Sequence, residues 1–474
     1  MGSAGVFKIN HPTMFDASVY IARRQKLKQQ VGSGLILLLG NEESSMSFRD
    51  NHYPFRQDSS FLYFFGLDKA GLTAVIDVDN DREILYGDEL TIDAIIWMGP
   101  QPSLADQAAG AGISTVKGAA QLAKDLKSAR TAAQVVHFLP PYRPENSAKL
   151  NDWLEIPLAL LKERASVSLI RAIVAQRSVK SAEEVREIEA AVDVTAAMHL
   201  AAIENAREGM TEAQLAGILH GIAVGSGGNL SFPTILTVHG QVLHNHYSAT
   251  IMQAGQMALC DSGAETAMHY AGDMTRTFPV SKQFTSLQKE MYEIVLAAQL
   301  AAIGALRPGV LFRDVHTLAA EKLVEGLINA GVMKGDPAEA VAAGAHTMVF
   351  QCGLGHMMGL DVHDMEDLGE EYVGYTEDMK KSKEFGWKSL RLGRALEPGF
   401  VVTIEPGLYF IPELMDLRKA EKKYTDFIDY DKLNTFRNFG GIRIEDDLLI
   451  TADGSRILGK PLGKTAKEME DWRG

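Results

Sequence analysis

Two cysteines in a chain of 474 residues, Cys260 and Cys352, are too few for a disulfide framework and suit a reducing compartment. No apolar run approaches the roughly 20 residues of a membrane helix. The opening MGSAGVFKINHPTMFDASVYIARRQKL has no apolar core followed by a small-residue cleavage site, so no secretory leader is expected and the chain is read as cytoplasmic. Positive charge is also short: 47 Lys and Arg stand against 61 Asp and Glu. The resulting formal charge of -14 argues against a nucleic-acid or anionic-membrane surface, and bound cations would neutralise part of it. Internal repeats and low-complexity segments are absent. The first five residues, MGSAG, are set aside as a possible expression remnant.

What is present is ordinary for a folded globular protein: 46% apolar and 23% charged residues. The length exceeds one typical core, so two domains are expected. In the first third, GLILLLG (34 to 40), FLYFFGL (61 to 67), LTAVIDV (72 to 78), REILYGD (82 to 88) and QVVHFLP (134 to 140) read as strands. Helical stretches such as AAQLAKDLKSAR lie between them, which predicts an α/β domain over 1–176. From 177 to 474 the pattern changes. Ser181 with Glu184, and Thr211 with Gln214, have capping-box spacing and open two helices. Strand-like segments rich in Gly, His, Asp and Glu follow. Residues 370–394 are charged and weakly periodic, and read as a solvated insertion or helical flap.

Chemistry concentrates in four of these later segments. In LCDSGAETAMHYAGDMTRTFPV (259 to 280), a turn centred near Ala267 places Asp261 and Asp273 opposite each other on one sheet face. Two ionised carboxylates in an apolar hairpin repel and are costly to bury without a cation. The plainer alternative is that one caps the turn and the other faces water. CGLGHMMGLDVHD (352 to 364) sets His356 and His363 among Gly353, Gly355 and Gly359, which let backbone pass close to a neighbour. VVTIEPGLYF (401 to 410) is an apolar strand closed by Glu405, which either finds a partner or emerges into solvent. In GGIRIEDDLLIT, Ile442 and Ile444 alternate with Arg443 and Glu445, as in any amphipathic strand. Together these supply four carboxylates and one imidazole. That oxygen-rich donor set suits two divalent ions such as Mn, Co, Fe or Zn, and not a cysteine-rich structural zinc site. Two such ions sharing a water make a hydrolase site.

The order Asp, Asp, His, Glu, Glu in these segments resembles the pita-bread metallopeptidases, in particular their aminopeptidase P and prolidase branch. RSVKSAEEVREI resembles the opening of that branch's catalytic domain, and FRQDSSFLYFFGLDKAG (55 to 71) its N-terminal domain, so nearly the whole chain is covered. The resemblance implies an α/β N-terminal domain and an α+β pita-bread catalytic domain. It implies that Asp273 and Glu445 bridge two metals, that Asp261 completes one, and that His356 and Glu405 complete the other. Glu405 would also shuttle the proton. His363 would contact the scissile carbonyl and His244 the substrate, with His246 close by as a rival, while Tyr409 and Arg443 border the site. The activity implied is release of the N-terminal residue from peptides with proline in second position, by a cytoplasmic homodimer using two ions, manganese first. An Xaa-Pro dipeptidase shares the chemistry. A non-catalytic binding relative and a metal-free creatinase-like hydrolase are disfavoured because all five ligand positions are filled. Two departures stand out. Asp261 and Asp273 lie one residue further apart than is usual, and Cys352 stands where relatives often have histidine, whose hydrogen bonds a thiol cannot reproduce.

Overall fold

Chain contacts in the computed structural model, which describes residues 14–473, divide into two compact units. The smaller ends at Arg177 and takes in Met365–Tyr372; the larger comprises Ser178–Asp364 and Val373 onward. The opening MGSAG lies outside the described residues.

The smaller unit runs α1 (Ala17–Val31), β1 (Leu35–Leu39), α2 (Ser59–Phe65), β2 (Thr73–Asp77), β3 (Arg82–Tyr86), α3 (Ile92–Met98), α4 (Leu104–Gly110), β4 (Thr115–Lys117), α5 (Leu122–Thr131), β5 (Val136–His137), α6 (Pro144–Leu154), α7 (Leu161–Arg164) and α8 (Val167–Arg177). Its mixed sheet has the order β4-β3-β2-β1-β5. Apolar side chains of β1, β2 and β3 pack against Leu122, Leu126, Leu150 and Leu154 of the covering helices. One expectation fails here: FLYFFGL is helix α2, not a strand. A short apolar run does not distinguish a buried strand from a buried helix. The deciding feature is Asp58, whose side chain accepts from the Phe61 N–H at 2.8 Å, with a left-handed Gly66 closing the other end.

The larger unit opens with α9 (Ala182–Asn205) and α10 (Glu212–Gly225), and both expected capping boxes are formed. Then come β6 (Asn229–Leu230), β7 (Ile235–Thr237), β8 (Met257–Asp261), β9 (Ala264–Glu265), β10 (Thr275–Pro279), α11 (Ser286–Ala305) and α12 (Phe312–Asn329). After a largely irregular stretch follow β11 (Val401–Ile404), β12 (Gly407–Tyr409), β13 (Gly441–Arg443), β14 (Asp446–Ile450) and β15 (Ser455–Ile457). β10-β8-β7 and β11-β14-β15 form sheets, β12 pairs with β13, and single bridges join Thr275 to Glu445 and Met357 to Val402. Residues 370–394, read as a solvated insertion or helical flap, hold a one-turn helix at Glu370–Val373 and a 3-10 turn at Trp387–Ser389, and bury Val373, Tyr375, Leu390 and Leu392. Among the described residues no helix is long and apolar enough to cross a membrane.

The junction of the two larger sheets is fixed by Arg276, which is fully buried. Its guanidinium donates to the carbonyls of Thr275, Glu445, Leu462 and Gly463 and to Asp446 Oδ1, at 2.7 to 3.1 Å. All five N–H donors are thereby used, which a lysine could not reproduce.

Candidate metal centre

The β8 to β10 hairpin carries both aspartates, in a register shifted from expectation. Asp261 pairs with Thr275, not with Asp273. The turn takes in Thr266 to Tyr270, with His269 in the left-handed region at φ 66°, so it centres one residue later than Ala267. Moving a turn centre by one residue shifts the register by two. The two aspartates are therefore diagonal neighbours, still on one face. In GIRIEDD the wet face of an amphipathic strand is absent: Ile442, Arg443, Ile444 and Glu445 are all buried.

Asp273, His356 and Glu445 each offer a ligand atom within 4.8 Å of the others, the one such group of three among the described residues. His356 Nε2 lies 3.5 Å from Asp273 Oδ2 and 3.4 Å from Glu405 Oε1, so Glu405 borders the trio. The other ring nitrogen, Nδ1, faces the Met357 carbonyl at 3.1 Å, which fixes the ring. Gly355 supplies the close approach its sequence suggested: a Cβ there would lie 2.0 Å from the Thr403 carbonyl. Thr403 Oγ1 accepts the His356 N–H at 3.1 Å and donates to Glu405 Oε1 at 3.2 Å, tying the two segments together.

Asp261 stands under a different constraint. Arg443 donates from Nη2 to Asp261 Oδ2 at 2.6 Å, from Nη1 to the Tyr409 hydroxyl at 2.8 Å, and from Nε to Thr275 Oγ1 at 3.1 Å. Thr275 Oγ1 in turn donates to Glu445 Oε2 at 2.6 Å. Arg443 thus orders Asp261 directly and Glu445 through Thr275, and the Tyr409 hydroxyl holds its remaining arm. Cys352, half-buried, reaches only the Tyr409 hydroxyl, at 3.9 Å from Sγ. Burial, and then the charge of Glu405, push its thiol up to about 12, so it is not a thiolate.

Arg443 pairs directly with one of the carboxylates, Asp261, and one cation does not compensate the set. Burial, and then the charge of Asp261, push Asp273 well above the carboxylate range; burial and then Asp273 do the same to Glu445. Glu405 is raised, chiefly by burial. Asp261 Oδ1 and Asp273 Oδ1 are buried with no hydrogen-bond partner. Burial also lowers His356, keeping a neutral imidazole with a lone pair to give. Buried acidic oxygens without hydrogen-bond donors and a neutral nitrogen beside them fit divalent cations, and the donor set is the one such ions favour.

His363 stands beside His356, with ring centroids 4.3 Å apart at 71°. His244 and His246 are both exposed. His246 is taken up by the Thr234 carbonyl at 3.2 Å from Nδ1. His244 is held below the usual imidazole range by desolvation and then by Arg443, and it senses Asp261 and His363. Two residues of importance were not singled out from the sequence. Asp446 anchors Arg276, and also accepts from Lys464 at 2.6 Å. Asp447, fully buried, accepts the Asp273 N–H at 3.0 Å. The signal was there: two further acids in the apolar run IEDDLLI.

A centre of buried acids and one imidazole, built across two sheets of this kind, defines a pita-bread metallohydrolase. Residues 186–452, more than half of the chain, match the metallopeptidase family M24, and the chain belongs to that family. Residues 20–137 match the aminopeptidase P N-terminal domain. The chain is 30% identical over 449 residues to the Xaa-Pro dipeptidase of Homo sapiens, covering 93% of this chain and 88% of that one. It is 30% identical over 467 residues to the Xaa-Pro aminopeptidase of Escherichia coli, covering 94% and 96%. Among solved structures, E. coli aminopeptidase P with the inhibitor Pro-Leu superposes with a TM-score of 0.79 at 28% identity, covering 97% and 98% of the two chains. Its low-pH form gives 0.80 at 29% over the same shares.

Proposed function

We propose that this enzyme is a dinuclear-metal exopeptidase that releases the N-terminal residue from peptides with proline in second position. The observation that carries the reading is the buried trio Asp273, His356 and Glu445, whose acids lack compensating charge. Asp261, Asp273, His356, Glu405 and Glu445 would hold two divalent ions; manganese is the first choice, and Co, Zn and Fe suit the same donors. Bound there, the ions supply an acidified water and polarise the scissile carbonyl. Glu405, whose side chain is 19% exposed at the edge of the trio, takes the proton of the attacking water and passes it to the leaving imino nitrogen. His363 donates to the oxygen on which charge develops, and His244 contacts the substrate. Arg443 and Tyr409 keep Asp261 and Glu445 oriented. Proline matters because its tertiary amide has no N–H for an extended-backbone protease to grip.

A second reading, the Xaa-Pro dipeptidase, shares this chemistry, and it is supported by relatives of both names that match the chain at the same identity. We further infer a homodimer, for which the exposed Ile92, Ile96 and Trp97 of α3 offer an apolar face, and a cytoplasmic setting, in keeping with two free thiols.

The test is product analysis by mass spectrometry after chelator-stripped, manganese-reloaded protein meets Ala-Pro and Ala-Pro-Ala-Ala in equal amounts. Release of alanine from the tetrapeptide is expected. Cleavage of Ala-Pro alone establishes the dipeptidase, and survival of both peptides with metal bound removes the catalytic reading.

A further inference from the structure

Within the larger unit, Lys180 Nζ and Asp364 Oδ2 form an ion pair at 2.7 Å, each side chain only 1% exposed. Lys180 lies in the segment just before α9, where its N–H donates to the Gly399 carbonyl at 2.8 Å. Asp364 follows His363 directly. The intervening loop folds back on itself: Asp364 N–H donates to the Met357 carbonyl at 2.9 Å, and Gly359 N–H to the Asp361 carbonyl at 3.0 Å. Asp361 N–H reaches Asp364 Oδ1 at 3.4 Å. The Gly359 carbonyl accepts from Ala271 in the aspartate hairpin at 2.8 Å. A Cβ on Gly359 would lie 2.7 Å from Asp364 Oδ2 and 2.9 Å from Lys180 Cε, so the pair is packed onto the loop with no room to spare. His356 starts this closed loop and His363 ends it.

A buried pair of this kind is a poor source of stability. Desolvating two ions costs several kcal/mol each, and apolar replacements of similar size are often neutral or stabilising. What it supplies is direction: one ammonium, seated from a distant part of the chain, fixes where the end of the loop sits. We propose that Lys180 is a positioning residue which, through Asp364, holds His363 against the substrate side of the centre. The inference rests on the peptidase reading above. Misplacing a reacting group by about 1 Å can cost about 100-fold in rate, which is the effect this pair prevents.

The test compares wild type, K180R and the apolar double variant K180M/D364L, all manganese-loaded, by melting temperature, metal content, kcat and KM on whichever proline peptide wild type cleaves. Hydrogen–deuterium exchange of residues 356–364 is read in parallel on metal-free protein. In the double variant, unchanged metal content, a kcat lower by about 100-fold, a KM within about 3-fold and faster exchange across the loop are expected. K180R, whose bulkier planar fork cannot take the ammonium's place without moving Asp364, should stay folded, melt a few degrees below wild type and lose about 3- to 10-fold in kcat. Wild-type kcat and wild-type exchange in the double variant would overturn the proposal, as would a kcat loss matched by an equal loss of metal. Should the double variant not fold, K180R decides alone: unchanged kcat and exchange there overturn it. If wild type cleaves neither peptide, the peptidase reading fails while the exchange measurement still judges the loop.

Discussion

Replacing Arg443 by methionine separates the electrostatics of the centre from its packing. Arg443 and Asp261 are both buried, and removing one partner of such a pair costs about 3–5 kcal/mol because the other charge is left stranded. Thermal unfolding of metal-free protein, at about 2 °C per kcal/mol in a chain of this size, should show R443M about 6–10 °C below wild type at pH 7. R443M/D261N, which removes the stranded charge, should recover part of the loss at pH 7. No deficit in R443M, or no recovery in R443M/D261N, would refute the claim that Arg443 is the buried partner Asp261 depends on.

Cys352→His should leave the fold intact and keep or raise kcat, since the thiol contributes only a long contact to Tyr409; a fall in melting temperature of more than a few degrees would mark Cys352 as packing instead. His316, buried against His346, Phe350 and Trp387, is pressed down to about 3 by burial. An unfolded histidine titrates near 6.5, so the stability this neutral ring contributes is present above that pH and is lost as pH falls toward 3, by up to about 1.4 kcal/mol per unit. His316→Phe should therefore flatten the decline in melting temperature between pH 6.5 and 4.5. An unaltered slope would show that His316 is protonated in the folded state.

Much of the larger unit was legible because its signals are local. The capping boxes at Ser181 and Thr211 need only a residue and its neighbour three positions on, and the strand closed by Glu405 needs only its own continuous apolar run. FLYFFGL was misread because its six buried apolar side chains leave no polar side to set a period, and the decisive Asp58 cap lies outside the run. The hairpin register turned on one left-handed residue, His269, that nothing in its own identity announces. Arg276 and the Lys180–Asp364 pair were illegible for a different reason. Their partners lie about 170 to 187 residues away in sequence, so the need for a buried cation appears only once the sheets are stacked. The order of the acids named the centre, whereas the cations that orient them emerged from the fold.

The most direct test of the metal centre is Asp273→Asn, followed by metal content per chain together with the rate on the proline peptides. A neutral amide bridges two cations poorly and adds no negative charge. The account predicts a folded protein that binds fewer ions than wild type and has lost its activity. Wild-type metal content with full activity in D273N would contradict it.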